Sequence, residues 1–206
     1  MFTITVIDYG MGNLWSVKNA INFLGYESNI TSNLNEIENA DLLILPGVGS
    51  YHKAISLIKE LQIDLAIKEA VLGRKKKILG ICLGMQLLGK SSTEDKFSYG
   101  LELLDFEVDY FNDSSFSNLK IPHVGFNSVI NNDNSILMNS LPSQTDFYFV
   151  HSFRAIPNNL IGKHLTCSHG ELFLAGIEYE NIFGTQFHPE KSQTNGLTLL
   201  KNFINF

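Results

Sequence analysis

The sequence predicts an α/β protein with a mostly parallel central sheet, helices on both faces of that sheet and an added antiparallel β portion in the second half. Up to residue 90, short apolar runs alternate with helical patterns, which is the element order of a parallel sheet with crossover helices. The run Asp41–Leu45 is almost entirely apolar, as expected for a parallel strand that is covered on both faces. Beyond residue 100, short β runs separated by polar turns replace this alternation.

In the first half, predicted strands are followed by turns and helical patterns. Strands are predicted at residues 3–8, 27–31, 41–45 and 78–81, and helices at 14–24 and within 53–72. Gly25 is expected to end the first helix, and the Pro46–Gly49 loop to end the third strand. Because ligands of such sheets bind at the carboxyl ends of the strands, the turns after residues 8 and 45 and the segment around Cys82 are candidate site regions.

The second half is predicted to be mainly β-structure. The β runs lie at residues 103–111, 123–130, 147–152, 161–167, 172–179 and 182–187. Residues 91–99 are predicted to form a polar loop, residues 112–118 a surface loop and residues 196–203 a final helix. Because neither an internal repeat nor a long linker divides the chain, residues 1–206 are predicted to form a single domain.

The composition indicates a folded protein that binds neither nucleic acid nor an anionic membrane. Of its 206 residues, 44% are hydrophobic, enough for a substantial core, and the formal net charge is −6. No apolar segment approaches the ~18 residues that span a bilayer, and the alternating N-terminus lacks the basic region of a signal peptide. The two cysteines, Cys82 and Cys167, form neither a disulfide framework nor a Cys-x-x-Cys metal motif, so we expect a cytoplasmic protein without a bound metal.

Cys82 lies in a sequence that predicts a strained strand-to-helix turn. The short strand at 78–81 runs into Gly80-Ile81-Cys82-Leu83-Gly84, and a helical apolar pattern follows. This is the cysteine form of the nucleophile elbow, in which glycines allow a sharp turn and a close approach of strand and helix. The start of the new helix directs N–H groups and a positive dipole end toward the sulfur, which favours the thiolate. The alternative interpretation is a buried structural cysteine.

A nucleophilic cysteine needs a base, and His188 is the best placed of the six histidines. It ends a predicted strand, and Pro189 forces it into extended geometry. Since residues i and i+2 of an extended segment point the same way, His188 and Glu190 are predicted to project together. We therefore predict a triad with Cys82 as nucleophile, His188 as base and Glu190 as the carboxylate that orients the imidazole. Without Cys82, an ordinary polar strand exit would be the preferred interpretation.

Other histidines are interpreted as structural or solvated. His164 and His169 lie in or beside polar turns and are expected to be solvated. His52 is interpreted as a residue that opens a helix, and His151 as a satisfied, half-buried strand residue.

The oxyanion of an acyl-transfer reaction needs donors beside the nucleophile. The backbone N–H of Leu83, at the start of the helix after Cys82, is one predicted donor, and the backbone of Val48 in the Pro46–Gly49 loop is the second. Gln86 lies one helical turn beyond Cys82 on the same face and is a candidate substrate contact. The default interpretation of such a residue is a surface glutamine.

Together these motifs resemble the class I (triad-type) glutamine amidotransferases, and most closely the glutaminase subunits of imidazole glycerol phosphate synthase. The resemblance rests on Gly80-Ile81-Cys82-Leu83-Gly84-Met85-Gln86 and on the segment from Gly184 to Ser192, which contains His188-Pro189-Glu190. Further matching segments are Asp8–Asn13, Leu45–Gly49, Pro122–Asn127, Tyr148–Ser152 and Gly196–Phe203. The resemblance covers essentially the whole chain and implies the flavodoxin-like fold of that family.

The resemblance implies that L-glutamine is hydrolysed to glutamate and ammonia through a thioester on Cys82, with no cofactor. It also implies a heterodimer with a (β/α)8-barrel cyclase subunit, which uses the ammonia to make imidazole glycerol phosphate and an aminoimidazole carboxamide ribotide in histidine biosynthesis. By the same resemblance Gly49, Gln86 and Glu94 would contact glutamine. Backbone N–H groups of Ser152 and Phe153 would bind its α-carboxylate.

Several residues differ from those usual in the family. Trp15, Val124, Phe126 and Phe153 stand where arginine, methionine, tryptophan and tyrosine are common. Some of them lie near the expected partner surface, so a related glutaminase that supplies ammonia to a surface-sugar amidotransferase is a second interpretation. Two further interpretations are a stand-alone γ-glutamyl cysteine hydrolase and a regulatory or redox module with an inert thiol.

Overall fold

The computed structural model of the protein describes residues 2–111, 119–157 and 161–206, so the predicted loop at 112–118 lies outside the described residues. Its strands are β1 (Ile4–Ile7), β2 (Ser28–Thr31), β3 (Leu42–Gly47), β4 (Lys77–Cys82), β5 (Ser91–Ser92), β6 (Ser98–Tyr99), β7 (Phe106–Tyr110), β8 (His123–Asn131), β9 (Gln144–His151), β10 (Phe153–Pro157), β11 (Lys163–His169), β12 (Glu171–Tyr179) and β13 (Ile182–Thr185).

The strands form a nine-stranded sheet in the order β2-β1-β3-β4-β13-β12-β11-β8-β9 and a four-stranded sheet in the order β10-β7-β5-β6. From β2 to β13 the large sheet is parallel. From β12 to β9 each strand is antiparallel to its neighbours. The predicted α/β class, with a parallel sheet extended by antiparallel strands, is therefore confirmed.

Helices cover both faces of the parallel part of the sheet, as predicted. They are α1 (Leu14–Phe23), α2 (Leu34–Asn39), α3 (Tyr51–Glu60), α4 (Ile63–Lys68), α5 (Leu83–Leu88) and α6 (Gln193–Asn205). Successive residues of β3 alternate between two apolar clusters: Leu43 and Leu45 pack with α2 to α5, whereas Leu42 and Ile44 pack with α1 and α6. Within the described ranges, none of these helices has the length and apolar character needed to cross a membrane.

The carboxyl ends of β3, β4 and β13 meet at one edge of the sheet. Gly47 on β3 pairs with Cys82 on β4, and Thr185 on β13 pairs with Ile81 on β4. β3 therefore continues through Pro46 and Gly47, beyond the predicted end, because its parallel ladder with β4 outweighs the local turn signal. This register places the loop after β3, the end of β4 and the segment after β13 next to one another.

The helices differ from the prediction in three places. The helical stretch 53–72 is divided because Gln62 has φ +58°, which separates α3 from α4, and Glu69–Gly73 form a π-helical turn. α2 was not predicted, although the Asn33 side chain caps it by accepting hydrogen bonds from two N–H groups of its first turn. α6 begins at Gln193, before the predicted start.

The prediction of a loop at residues 91–99 is wrong. β5 and β6 lie within this segment and pair with each other, and β5 also pairs with β7. Strands of two residues contain no periodicity from which they could be recognised. The same small sheet includes β10, which was not predicted and which begins at Phe153, directly after the candidate site segment.

Candidate active site

Cys82 occupies an elbow between β4 and α5, and its backbone adopts the strained values φ 54° and ψ −112°. Such conformations cost about 1–3 kcal/mol in a residue other than glycine and concentrate at functional sites. A Cβ atom at Gly84 would lie 1.7 Å from the Leu45 carbonyl oxygen, and one at Gly80 would lie 2.7 Å from the Met85 backbone. Strand and helix approach so closely that both positions require glycine. The predicted elbow is therefore present in the structure.

His188 and Glu190 form a buried pair beside Cys82. Nδ1 of His188 is 2.8 Å from Oε1 of Glu190, and each side chain is only 1% exposed. Burial disfavours the charged imidazole, but the charge and hydrogen bonding of Cys82, followed by those of Glu190, outweigh it and raise the pKa of His188 to about 10. Nε2 of His188 is buried without a nitrogen or oxygen partner among the described residues, which leaves it available for proton exchange with the sulfur.

The backbone after β13 brings His188 and Glu190 together in a different way from the one predicted. Pro189–Lys191 form a 3-10 turn, so the expectation of a continuing extended segment is wrong. The turn is held by Ser192, whose hydroxyl donates to the His188 carbonyl at 2.6 Å and accepts from the Tyr148 N–H at 2.9 Å. The turn still directs both side chains toward each other.

A cavity of about 500 Å³ opens above the elbow. This is within the usual size range of small-molecule sites, roughly 300–1,000 Å³. Its walls come from the loop after β3, the elbow, the β5–β6 region and the end of β9. The lining residues are Val48, Gly49, Ser50, Cys82, Leu83, Gln86, Glu94, Pro122, Val150, His151, Ser152 and Phe153. Every predicted substrate and oxyanion residue therefore lies at this one cavity, while His188 and Glu190 are buried next to Cys82.

Gln86 is buried, so its interpretation as a surface glutamine is wrong. Its amide nitrogen donates to the Phe153 carbonyl at 3.0 Å and to Oε1 of Gln186 at 2.9 Å. Glu94, on another wall of the cavity, accepts a hydrogen bond from the Tyr51 N–H at 2.9 Å. Burial raises the pKa of Glu94.

Gln186 is a further polar residue at the elbow that the sequence reasoning does not single out. It is fully buried, and its amide nitrogen lies 3.6 Å from the Cys82 sulfur. His188 itself is extended, and residues i and i+2 of an extended segment point the same way, so Gln186 is expected on the same side of the chain as His188. That alternation is the signal that would have identified it.

Three histidines form a cluster that includes His151 of the cavity wall. His151 donates from Nδ1 to the Phe153 carbonyl at 2.8 Å, and its Nε2 lies 3.0 Å from Nδ1 of His123. His169 was expected to be solvated and is half-buried: its ring stacks on His123 at 4.1 Å, and its Nε2 donates to the Lys120 carbonyl at 2.8 Å. His151 is a satisfied strand residue, as predicted, but it is buried rather than half-buried.

The same cluster disfavours positive charge. Burial and then His169 lower the pKa of His123 to about 4. Burial is also the main cause that lowers the pKa of His151 to about 3, and it outweighs the hydrogen bond to Phe153. Among the described residues, no three His, Cys, Asp or Glu side chains are grouped so that they would hold a metal ion.

Cys167 has surroundings that disfavour the thiolate. It lies on β11 in the core, and its Sγ is 3.9 Å from the Ser168 carbonyl. Burial raises the pKa of the Cys167 thiol to about 12. The chain thus contains one cysteine at an elbow with a histidine beside it and one core cysteine whose raised pKa favours the neutral thiol.

The chain is similar to known proteins along nearly its whole length. The family described as "Glutamine amidotransferase class-I" matches residues 5–206. The chain is 42% identical to "Imidazole glycerol phosphate synthase subunit HisH 1" of Parasynechococcus marenigrum (strain WH8102), over 100% of this chain and 99% of that protein. It is also 42% identical to "Imidazole glycerol phosphate synthase subunit HisH 2" of Vibrio vulnificus (strain YJ016), over 98% and 94% of the two chains.

A solved structure shows the same fold. "Structure of PurLQS from Thermotoga maritima" aligns with a TM-score of 0.75 and 20% identity, over 99% of this chain and 98% of that chain. At this identity the likeness concerns the fold alone. Since the family match spans nearly the whole sequence and full-length relatives share more than a third of their residues with it, the chain belongs to the class-I glutamine amidotransferase family.

Proposed function

We propose that this chain is the glutaminase subunit of imidazole glycerol phosphate synthase and hydrolyses L-glutamine to glutamate and ammonia. The observation that carries the proposal is the strained Cys82 at the cavity, with the buried His188–Glu190 pair beside it. The 42% identity to full-length relatives that bear this subunit name supports the same assignment.

In the first half-reaction, Cys82 is the nucleophile and His188 exchanges protons with it. Nε2 of His188 holds the proton that came from the Cys82 thiol, because the raised pKa of His188 favours the imidazolium. The Cys82 thiolate attacks the carboxamide carbon of glutamine. The N–H groups of Leu83 and Val48 stabilise the resulting oxyanion. When the tetrahedral intermediate collapses, the C–N bond breaks, His188 returns its proton to the nitrogen, and ammonia leaves a γ-glutamyl thioester on Cys82.

In the second half-reaction, water hydrolyses the thioester. Nε2 of His188 removes a proton from the water as its oxygen adds to the carbonyl carbon. The C–S bond then breaks, glutamic acid leaves and loses its proton to solvent, and the Cys82 thiolate and His188 imidazolium are restored. Glu190 holds the imidazole through its 2.8 Å contact to Nδ1 and stabilises the imidazolium throughout.

The cavity walls supply the contacts that select glutamine. Gly49, Gln86 and Glu94 contact the substrate, and the carboxylate of Glu94 is suited to an ammonium group. The backbone N–H groups of Ser152 and Phe153 bind the α-carboxylate. These assignments rest on the positions of the five residues around one cavity of about 500 Å³.

The ammonia passes to a (β/α)8-barrel cyclase subunit in the cytoplasm. That partner forms a heterodimer with this chain and makes imidazole glycerol phosphate and the aminoimidazole carboxamide ribotide. Trp15, Val124 and Phe126 are more than half exposed and supply apolar surface for such an interface. Delivery inside a complex also keeps a reactive, volatile product from being lost to solvent.

The proposal is tested by separating glutamine use from ammonia use in the assembled complex. With Cys82→Ala, we expect glutamine-dependent synthesis of imidazole glycerol phosphate to be abolished and ammonia-dependent synthesis to be unchanged. The matched control is Cys167→Ala, which leaves the elbow cysteine in place and should retain both activities. Equal loss of both activities in Cys82→Ala, or glutamine-dependent synthesis without Cys82, would contradict the proposal.

A further inference from the structure

We propose that Gln186 is an additional catalytic residue, which donates an amide N–H to the Cys82 sulfur and stabilises its thiolate. Its orientation is set by a chain of hydrogen bonds that starts at the Phe153 carbonyl and passes through Gln86. This inference rests on the proposed role of Cys82 as the nucleophile. In that role, Gln186 stabilises the negative charge on the sulfur together with His188.

The direction of the chain follows from its starting point. The Phe153 carbonyl oxygen is an acceptor only, so the Gln86 atom that lies 3.0 Å from it must be the amide nitrogen. The same carbonyl also accepts from Nδ1 of His151 at 2.8 Å, which uses its second lone pair. Because both bonds end on one fixed backbone atom, the Gln86 amide cannot be reversed without losing a buried hydrogen bond.

The second step fixes Gln186. The same nitrogen of Gln86 lies 2.9 Å from the Gln186 side chain, so the atom that it meets must be the acceptor Oε1. The Gln186 nitrogen is then the atom that lies 3.6 Å from the Cys82 sulfur. Gln186 is fully buried, and its backbone N–H is held by the Ala175 carbonyl at 2.8 Å, so the side chain has a rigid base.

The third step concerns the charge at the sulfur. The Val150 carbonyl oxygen lies 3.9 Å from Sγ and presents a negative dipole, which favours the neutral thiol over the thiolate. An N–H donor on the same atom acts in the opposite sense, because a hydrogen bond to a charged acceptor is stronger than one to a neutral acceptor. Gln186 thus offsets the Val150 carbonyl and favours the charged form that attacks glutamine.

These hydrogen bonds also determine which atom of Gln86 can contact a substrate. Both of its N–H groups are engaged, one with Phe153 and the other with Gln186. Only Oε1 of Gln86 remains for a ligand in the cavity, so Gln86 can accept a hydrogen bond from an amide or ammonium group but cannot donate one. Glutamine supplies both kinds of donor.

The test is the pH dependence of Cys82 alkylation by iodoacetamide, followed at each cysteine by mass spectrometry. Gln186→Met removes the donor at nearly constant volume, and we expect the pH of half-maximal alkylation rate to rise by about one unit, which corresponds to a tenfold weaker preference for the thiolate over the thiol. Gln186→Glu keeps the shape but places an oxygen against the sulfur, so the rise should be larger. Gln144→Met, at an exposed glutamine, is the matched control and should show the wild-type profile.

A second comparison tests the orientation argument. Gln86→Met releases the Gln186 amide and should produce a smaller rise, and the Gln86→Met/Gln186→Met double variant should behave like Gln186→Met alone, because both act through one N–H. Circular dichroism and thermal unfolding show which variants retain the native fold. An unchanged alkylation profile in folded Gln186→Met or Gln186→Glu overturns the inference.

This outcome is distinct from failure of the proposed function. If His188→Gln also has the wild-type alkylation profile, Cys82 is not activated by His188, and the proposed catalytic role is wrong. If the profile depends on His188 but not on Gln186, only the role of Gln186 is wrong.

Discussion

Two buried histidines near the same cavity have opposite charge preferences. His188 is almost completely buried and its pKa is raised to about 10, whereas His151, which is also buried, has a pKa lowered to about 3. Burial opposes charge in both rings, so burial does not explain the difference. The partners of each ring do.

His188 has a carboxylate on one side and the Cys82 sulfur beside it, and both favour an imidazolium. His151 instead donates to a neutral carbonyl and accepts from another histidine. A second proton, on Nε2 of His151, would point at the N–H of His123. The hydrogen bonds that satisfy the neutral ring of His151 therefore exclude its charged form. The fold thus prepares one histidine for proton transfer and fixes the other as a neutral structural group.

Replacing His188 is expected to have the largest effect on activity. We expect His188→Gln to reduce glutamate release by about 10⁵- to 10⁶-fold, because a nucleophile and its base act as a unit. His123→Phe, which replaces a neutral histidine in the cluster with a ring that suits its aromatic neighbours, should retain most of the activity. Steady-state assays of the assembled complex measure both. A His188→Gln variant with activity near that of the wild type would mean that His188 is not the histidine that transfers protons.

Glu190 is expected to have the next largest effect. Glu190→Gln keeps the size of the side chain but removes the charge that favours the imidazolium and fixes the tautomer, so we expect a loss on the order of 10⁴-fold in kcat. Iodoacetamide alkylation of Cys82 should slow in parallel. Little change in either rate would mean that the 2.8 Å contact between Glu190 and His188 has no electrostatic role.

The smallest predicted effect is on stability and concerns His151. Its pKa is lower in the folded protein than the ordinary value of 6.5, so between about pH 6.5 and pH 3 the unfolded chain binds the additional proton. The contribution of the neutral ring is therefore present above pH 6.5 and is lost as the pH falls. His151→Phe should reduce the slope of unfolding free energy against pH in this window by up to about 1.4 kcal/mol per pH unit.

Denaturant unfolding of wild type and His151→Phe at pH 7.5 and pH 4.5 checks this slope. The measurement at pH 7.5 is the control, because the difference there reports packing and lost hydrogen bonds only. An identical pH slope in the two proteins would contradict the neutral assignment of His151.

The parts of the site that depend on local geometry could be predicted from the sequence. Gly80 and Gly84 around Cys82 indicate a turn in which backbone atoms approach closely, and the apolar strands indicate a parallel sheet whose ends meet. The His188–Glu190 contact was predicted for a reason that proved wrong, since a 3-10 turn rather than an extended segment brings the two side chains together.

The parts that depend on distant pairing could not be predicted. Gln86 and Gln186 are separated by 100 positions, and only the parallel register of β4 and β13 brings them into contact. The histidine cluster forms because β8 pairs with β9, which aligns His123 with His151. A polar residue in a short strand gives no local sign of such partners.

An NMR titration of the histidine side chains in the wild-type protein and in Cys82→Ala tests whether Cys82, His188 and Glu190 act together. We expect His188 to be protonated at pH 7.5 and His151 to be neutral, and we expect Cys82→Ala to lower the pKa of His188 while leaving that of His151 unchanged. A neutral His188 at pH 7.5, or a His188 titration that does not respond to Cys82→Ala, would mean that Cys82, His188 and Glu190 do not form one catalytic unit.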